Sequence, residues 1–376
     1  MGSATAAAEE LKRLATVSPQ EPLKMQRRCT TSRDLSRAAA LDMEKICAPL
    51  VRILRRGDSF SKSEATRALC SITMNSDGRA AVAAAGAISP LLDLVARGGD
   101  HFAKRNALQT LMNLMYEDDT MKFAIFSAGC IRPVVMILRS DDDLVKQQAA
   151  GLLRDLAYGT DIETQARLIK DAVVAAGAVP ALIEIVKTGS ELSKATATAT
   201  LANLANNHND NKGLIAAAGV VPLIDLLRDG SDSCKKMAAQ ALRNLSAPGS
   251  DNRVAIAAAG AIPLLVAAET GSHAGAKEQA AVALRNLGYD NVDNQVAIAK
   301  ARGAEALVRI ARCGSIHLAS HLAKHELSFG ARERVARELA KRRDAIIRKI
   351  LEDALLPEIA ASVVAPFLGR WGGSWP

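Results

Sequence analysis

The sequence predicts an all-α protein, an α-α superhelix built from about seven three-helix repeats. Two sets of landmark residues recur about every forty residues, and the composition suits thin helical layers. Apolar residues make up 49% of the 376 residues, yet only 6 Phe, 3 Tyr and 2 Trp are present. Alanine, the best helix former, is abundant and lets helices approach closely. A wide stack of helices therefore fits better than a fold around one bulky core.

The first landmark is a glycine that opens an apolar segment such as GAISPLLDLV or GAIPLLVAA. A proline follows within four residues, at 90, 133, 180, 222 and 263, and proline is favoured in the first turn of a helix. The glycines lie 43, 48, 42, 41 and 43 residues apart, at Gly86, Gly129, Gly177, Gly219, Gly260 and Gly303. This pattern predicts a turn followed by a Pro-led helix in each repeat.

The second landmark is a polar column inside segments such as LQTLMNL and QALRNL. Its members are spaced by 42, 42, 48, 41 and 42 residues, at Ser71, Asn113, Asp155, Asn203, Asn244 and Asn286. Alanine always stands six residues before the polar residue, and leucine always stands two before it. Because these positions share the opposite face of a helix, the pattern predicts an amphipathic third helix that buries Ala and Leu.

Helix starts are predicted just upstream of the polar column, where N-cap residues occur at Asp58, Asp100, Ser190 and Ser231. Each repeat is thus predicted to contain a short helix ending in Ala-Gly, a Pro-led helix and a longer third helix. The interval between Asp155 and Gly177 is six residues longer than that between Asn203 and Gly219. We expect this insertion, within 158–170, to form a loop or an extended first helix.

The AGAIPLL segment followed by AAxALRNL resembles the armadillo repeat over roughly residues 41–327. The resemblance implies that the third helices line a concave groove whose repeated Asn bonds the main chain of an extended peptide. Residues four and seven before the polar column share its face, so amides recur along the same surface. An alternative is that each Asn only bonds neighbouring backbone. The predicted groove residues are Ser71, Asn106, Gln109, Asn113, Gln148, Asp155, Asn203, Gln240, Asn244, Gln279 and Asn286.

The column four residues before the polar residue narrows the resemblance. Importin-alpha carries Trp there in most repeats, whereas this chain has none. The RNLS and RNLG segments look more like catenins or the vacuolar and plant-type armadillo proteins. A nuclear import adaptor is therefore disfavoured.

A lysine column stands nine residues before the polar column, half a helical turn away from its face. We interpret it as a solvated rim with buried stems. It could also form a positive edge that draws an acidic partner toward the groove. Its members are Lys62, Lys104, Lys146, Lys194, Lys235 and Lys277.

The formal charge of +8 comes mostly from the two ends, because residues 41–320 hold 31 basic against 29 acidic residues. We expect a disordered basic segment at 1–36, the solenoid at 37–330, and a basic capping helix with a flexible Trp-containing tail at 331–376. Association with a membrane surface or nucleic acid through these ends is an alternative function.

One cluster raises the alternative of a metal-dependent enzyme, because Cys313, His317, His321 and His325 are spaced by four residues. The spacing turns by about 40° per step, so four such side chains cannot converge on one ion from a single helix. We therefore expect no catalytic residues, no metal and no cofactor. The six Cys, without a CxxC, indicate a cytoplasmic or nuclear protein, which we expect to be a monomer with a protein partner.

Overall fold

The computed structural model describes residues 32–159, 162–247, 252–271 and 273–291, with 293, 294, 297, 298 and 301. Over these ranges the chain forms sixteen α-helices and no β-strand, as the sequence predicts. The predicted terminal segments lie largely outside the described residues, as do the 313–326 cluster and nearly all of the seventh repeat. The first helix begins at Ser32, five residues before the expected start of the solenoid.

The helices follow the three-helix repeat with two exceptions, α1 and α12. In chain order they are α1 Ser32–Arg56, α2 Ser59–Ile72, α3 Ser76–Ala84, α4 Ile88–Arg97, α5 His101–Leu114, α6 Asp119–Ser127, α7 Ile131–Ile137, α8 Asp143–Ala157, α9 Glu163–Ala175, α10 Ala178–Thr188, α11 Glu191–Ala205, α12 Asn209–Asp229, α13 Asp232–Leu245, α14 Asn252–Ala258, α15 Ala261–Thr270 and α16 Ala274–Gly288. The third helices of successive repeats are α2, α5, α8, α11, α13 and α16.

The third helices bury the face that the sequence pattern predicts. All six alanines and all six leucines of the two apolar columns are fully buried. Burying a leucine side chain contributes about 1.5–3 kcal/mol, while alanine permits close approach of the next helix. The four predicted N-caps are confirmed, since the Asp58, Asp100, Ser190 and Ser231 side chains each accept from a main-chain N–H three residues on.

Glycine makes the bend between the first and second helices of most repeats. Gly86, Gly129, Gly177 and Gly260 all have positive φ, a conformation that costs residues with a Cβ about 1–2 kcal/mol. The bend measures 80° between α3 and α4 and 83° between α6 and α7. In both of these repeats the second helix packs against the third.

The predicted turn at Gly219 is wrong. α12 runs without interruption from Asn209 to Asp229, with Pro222 inside it. Glycine adopts helical and left-handed φ almost equally well, and the helix accommodates the lost hydrogen bond and the ring clash that Pro222 introduces. A Gly followed by Pro three residues later thus permits both a turn and a continuous helix.

The six-residue insertion lengthens the first helix of its repeat. α9 has 13 residues, against 9 in both α3 and α6, and it begins two residues after the undescribed pair 160–161. The sequence allowed either a loop or an extended first helix at this insertion, and the structure shows the extended helix α9.

The described residues divide into two compact units, with the boundary between residues 200 and 201. In the first unit α2 packs on α5 and α5 on α8, while α1 covers α2, α3 and α4. In the second unit α13 packs on α12 and on α16, and α15 packs on α16. No single helix in the described ranges is long and apolar enough to cross a membrane, although three bent helix pairs meet the length and composition required.

Candidate peptide-binding groove

The groove face is the surface of the third helices that carries the polar column and the residues four and seven positions before it. In the first unit, α2, α5 and α8 place this face side by side. The N-terminal ends of the helices are also aligned, since His101 lies 3.4 Å from Asp142, and the Ser193 hydroxyl donates to Asp143 at 2.7 Å. Equivalent positions of successive repeats therefore form rows.

A cavity of about 520 Å³ lies on the groove face of the first unit. Four predicted groove residues line it together, namely Gln109, Asn113, Gln148 and Asp155. Carboxamides both donate and accept, so the wall can pair with the N–H and C=O groups of a peptide main chain. The cavity is also lined by Thr73, Met74, Arg79, Met112, Tyr116, Gln147, Gly151, Arg154 and Thr196.

The column asparagines also join successive repeats. The Asn113 amide donates to the Thr73 hydroxyl at 3.1 Å, one repeat earlier. Asn244 and Asn286 donate to the main-chain oxygens of the residues that precede the polar column in the previous repeat, at 2.8 and 3.1 Å. These bonds match the alternative role, in which Asn bonds neighbouring backbone. The Asn113 side-chain nitrogen also lies 3.5 Å from the Cys70 main-chain oxygen and 3.7 Å from the Met74 sulfur, so its two N–H groups already face three acceptors.

The acceptor oxygens of the column are also engaged. Gln109 donates to the Asn113 side-chain oxygen at 2.8 Å, and the Arg243 guanidinium donates to that of Asn244 at 3.1 Å. Arg154 makes the same contact with Asp155 at 2.8 Å. Arg154 and Arg243 thus orient the polar residues that follow them.

Exposure of the polar column differs between repeats. Ser71 is exposed, Asn113, Asp155 and Asn203 are half-buried, and Asn244 and Asn286 are only 6% and 8% exposed.

The flanking groove residues Asn106, Gln109, Gln148, Gln240 and Gln279 are all half-buried. Among the described residues, no hydrogen-bond partner reaches the buried side-chain nitrogen of Asn106 or the buried side-chain oxygen of Gln279. In the first unit, the half-buried column residues Asn113 and Asp155 also line the cavity.

All six lysines of the lysine column are half-buried, as expected for charged heads on buried stems. Lys194 lies 3.5 Å from Glu191 in the first turn of α11.

Two rows of exposed apolar side chains flank the amides of the first unit and were missed by the sequence analysis. One lies eleven residues before the polar column, on the same helical face. The other follows three residues after the column. Extending the same column analysis in both directions would have found them. The rows are Phe60, Phe102, Leu144 and Leu192, and Met74, Tyr116 and Tyr158.

Arginine lies over tyrosine beside the polar column in both units. The Arg79 guanidinium is 5.6 Å from the Tyr116 ring centroid, and that of Arg253 is 5.9 Å from the Tyr289 ring centroid. Arg253 also donates to the main-chain oxygen of Tyr289 at the end of α16. In the repeat that ends with α8, Lys122 of α6 takes the place of this arginine. Its ammonium donates to the main-chain oxygens of Tyr158 and Gly159 at 3.3 and 3.5 Å. A basic side chain near the last carbonyls of a helix stabilises that end.

Burial shifts the pKa values of two cysteines strongly. Burial raises the pKa of Cys47 to about 11 and that of Cys130 to about 12. Both are free thiols, as is Cys70. In the described ranges, no group of three His, Cys, Asp or Glu residues is arranged to hold a metal ion.

Comparison with known proteins gives a family match for three of the repeats. The Armadillo/beta-catenin-like repeat family matches residues 118–158, 168–206 and 208–247. A comparison with curated protein sequences finds no significant match.

Many solved structures share the fold. An engineered protein is 25% identical, with a TM-score of 0.72 over 89% of this chain and 87% of its own. Another is 29% identical, with a TM-score of 0.59 over 65% of this chain and 96% of its own. A designed armadillo repeat protein in complex with the peptide (KR)4 is 23% identical, with a TM-score of 0.58 over 64% of this chain and 99% of its own. The fold is therefore an armadillo-type α-α solenoid, a class that is typically a non-catalytic scaffold.

Proposed function

We propose that this protein is a non-catalytic scaffold or adaptor that binds an extended segment of a protein partner along its groove face. One observation carries the proposal, namely the cavity that collects Gln109, Asn113, Gln148 and Asp155. These residues come from two successive repeats, at positions that the sequence repeat makes equivalent. A polar row exposed on a recessed surface is suited to a chain that runs across the repeats.

The size and chemistry of the cavity suit a peptide. Ligand pockets usually measure about 300–1,000 Å³, and this one falls inside that range. Its wall combines amides with thioether and aromatic surface, rather than a nucleophile held by a general base. An extended chain offers one N–H and one C=O per residue, which the amides can pair. The designed protein solved with (KR)4 has the same fold, so this architecture is compatible with a bound peptide.

Within the armadillo class, we place the chain nearer to catenins and plant-type proteins than to importin-alpha. The column four residues before the polar column is Arg67, Gln109, Gly151, Ala199, Gln240 and Val282. Without tryptophan, it cannot form aromatic slots for lysine side chains. We further propose that the protein acts in the cytoplasm, the nucleus or both, since its separated cysteines suit a reducing compartment.

The test uses the flanking amides instead of the asparagines, because the asparagines also join repeats. Partners are first identified by proximity labelling in the native cell and mass spectrometry. The affinity of an identified partner is then measured for wild type and for the Gln109→Ala, Gln148→Ala double variant. We expect binding to weaken about tenfold, since each lost hydrogen bond contributes about 0.5–1.5 kcal/mol.

The matched control is Gln165→Ala, which removes a half-buried amide from α9. It should bind like wild type, and circular dichroism should show equal helix content for all three proteins. If the double variant captures the partner as well as wild type does, the groove face is not the binding surface.

A further inference from the structure

The charges in the first-unit cavity do not cancel. Three charged side chains line it, Arg79, Arg154 and Asp155. Arg154 and Asp155 form a pair at 2.8 Å. No carboxylate of the described residues lies within 4 Å of the Arg79 guanidinium. This guanidinium makes a cation–π contact with the Tyr116 ring. The cavity therefore carries one uncompensated positive charge.

Arg79 is held ready for a ligand. It lies in the first turn of α3, where the Asn75 side chain accepts from the Gly78 N–H and fixes the start of the helix. Tyr116 covers the guanidinium at 5.6 Å between the guanidinium carbon and the ring centroid. Arginine stacked in this way keeps in-plane N–H groups that match the two oxygens of a carboxylate.

Apolar surface adjoins this charge. Met74 and Tyr116, both exposed, share the cavity with Met112. The rest of the polar lining consists of uncharged amides, the hydroxyls of Thr73 and Thr196, and the Arg154–Asp155 pair. An apolar side chain next to an acidic one would thus find complementary surface at both positions.

We propose that this cavity selects an acidic residue of the partner segment, with the carboxylate on Arg79 and a neighbouring apolar side chain against Met74 and Tyr116. The proposal rests on the proposed function, because it names the chemistry of the segment that the groove face binds. A basic peptide such as (KR)4, which occupies the designed protein, would bring like charge to Arg79 and is disfavoured here.

The test selects peptide ligands directly, so the natural partner need not be identified first. A phage-displayed library of random linear peptides is panned on the full chain, and the enriched peptides are synthesised with a fluorescent label. Their affinities are measured by fluorescence anisotropy for wild type, Arg79→Glu, Arg132→Glu and the Gln109→Ala, Gln148→Ala double variant, with (KR)4 as a basic probe. Arg132→Glu is the matched control, because it reverses an exposed charge in α7 of the same unit outside the cavity.

We expect enriched peptides to contain Asp or Glu beside an apolar residue and to exceed (KR)4 in affinity. Arg79→Glu should weaken them about tenfold or more, as loss of a charge-assisted hydrogen bond does, whereas Arg132→Glu should not. Circular dichroism confirms folding of each variant.

Two other outcomes overturn the inference in different ways. In the first, the peptides bind and lose affinity in the Gln109→Ala, Gln148→Ala variant, but they lack acidic residues or bind Arg79→Glu as tightly as wild type. The acidic preference is then wrong and the groove function stands. If no peptide is enriched, or the double variant binds all of them unchanged, both the groove function and this inference fail.

Discussion

The side-chain amide of Asn244 donates to the main-chain oxygen of Ala202, 2.8 Å away in the third helix of the preceding repeat. Asn286 repeats the bond to Arg243 in the next repeat, at 3.1 Å. Since both asparagines are more than nine-tenths buried, their carboxamides act in repeat stacking. Substitutions there change stability as well as any binding.

Asn244→Ala is expected to lower the free energy of unfolding by about 1–3 kcal/mol, the usual cost of a buried polar group left unpaired. Urea denaturation followed by circular dichroism measures it as a lower midpoint. Gln240→Ala, one turn earlier on α13 and half-buried, is the control and should shift the midpoint much less. Equal midpoints for the two variants would show that the Asn244 bond adds nothing to stacking.

Lys122→Met should destabilise the first unit by about 1–2 kcal/mol. The Lys122 ammonium, on a side chain only 7% exposed, contacts the Tyr158 and Gly159 oxygens at the end of α8 and Asp119 at 2.9 Å. Methionine fills the space but supplies no donor and no charge for the helix end. Thermal unfolding of Lys122→Met is compared with that of Lys187→Met, an exposed lysine in α10. A larger loss for Lys187→Met would contradict the role of Lys122 at the helix end.

Two glycine substitutions should act in opposite directions. Gly177→Ala should cost about 1–2 kcal/mol, because its φ of +82° disfavours a Cβ even though no atom lies within 4 Å. Gly213→Ala should stabilise the protein by about 0.5–1 kcal/mol, because Gly213 lies exposed inside α12 with open space around its Cβ position. Denaturation midpoints give both signs, and a shift of the same sign for both variants would refute the expectation.

The thiols of Cys47 and Cys130 should resist alkylation at pH 8. Burial raises their pKa values to about 11 and about 12, so the reactive thiolate is a very small fraction of the folded state. This preference for the neutral thiol stabilises the fold fully below the pKa of the unfolded chain and is lost as pH rises toward the folded values. Iodoacetamide labelling with peptide mass spectrometry, with and without urea, measures the protection. Labelling of Cys130 as fast in buffer as in urea would disprove it.

The sequence predicted the layer structure well because burial repeats in phase with the helix. The alanine and leucine columns, such as Ala149 and Leu153, are fully buried in every described repeat, and four predicted N-caps make their bonds. These features depend on neighbours within a few residues. Local patterns therefore carried the helix assignment.

Other features depend on groups that are distant in the chain or on a choice between two allowed conformations. The bond from Asn286 to Arg243 spans 43 residues, so the helical pattern of one repeat could not select it over a bond to a ligand. At Gly219 the sequence is compatible with both a turn and a helix, and the structure shows the helix. The cation–π contact of Arg79 with Tyr116 likewise joins the first and third helices of one repeat, outside the range of a local helical pattern.

The bonds from Asn113, Asn244 and Asn286 to the preceding repeat join uncharged amides to uncharged oxygen atoms. Dissolved salt screens interactions between charges and hardly affects contacts between neutral dipoles in a buried layer. A concentrated salt wash should therefore release a charged ligand from an affinity column while the solenoid on the resin stays folded and ready for reuse.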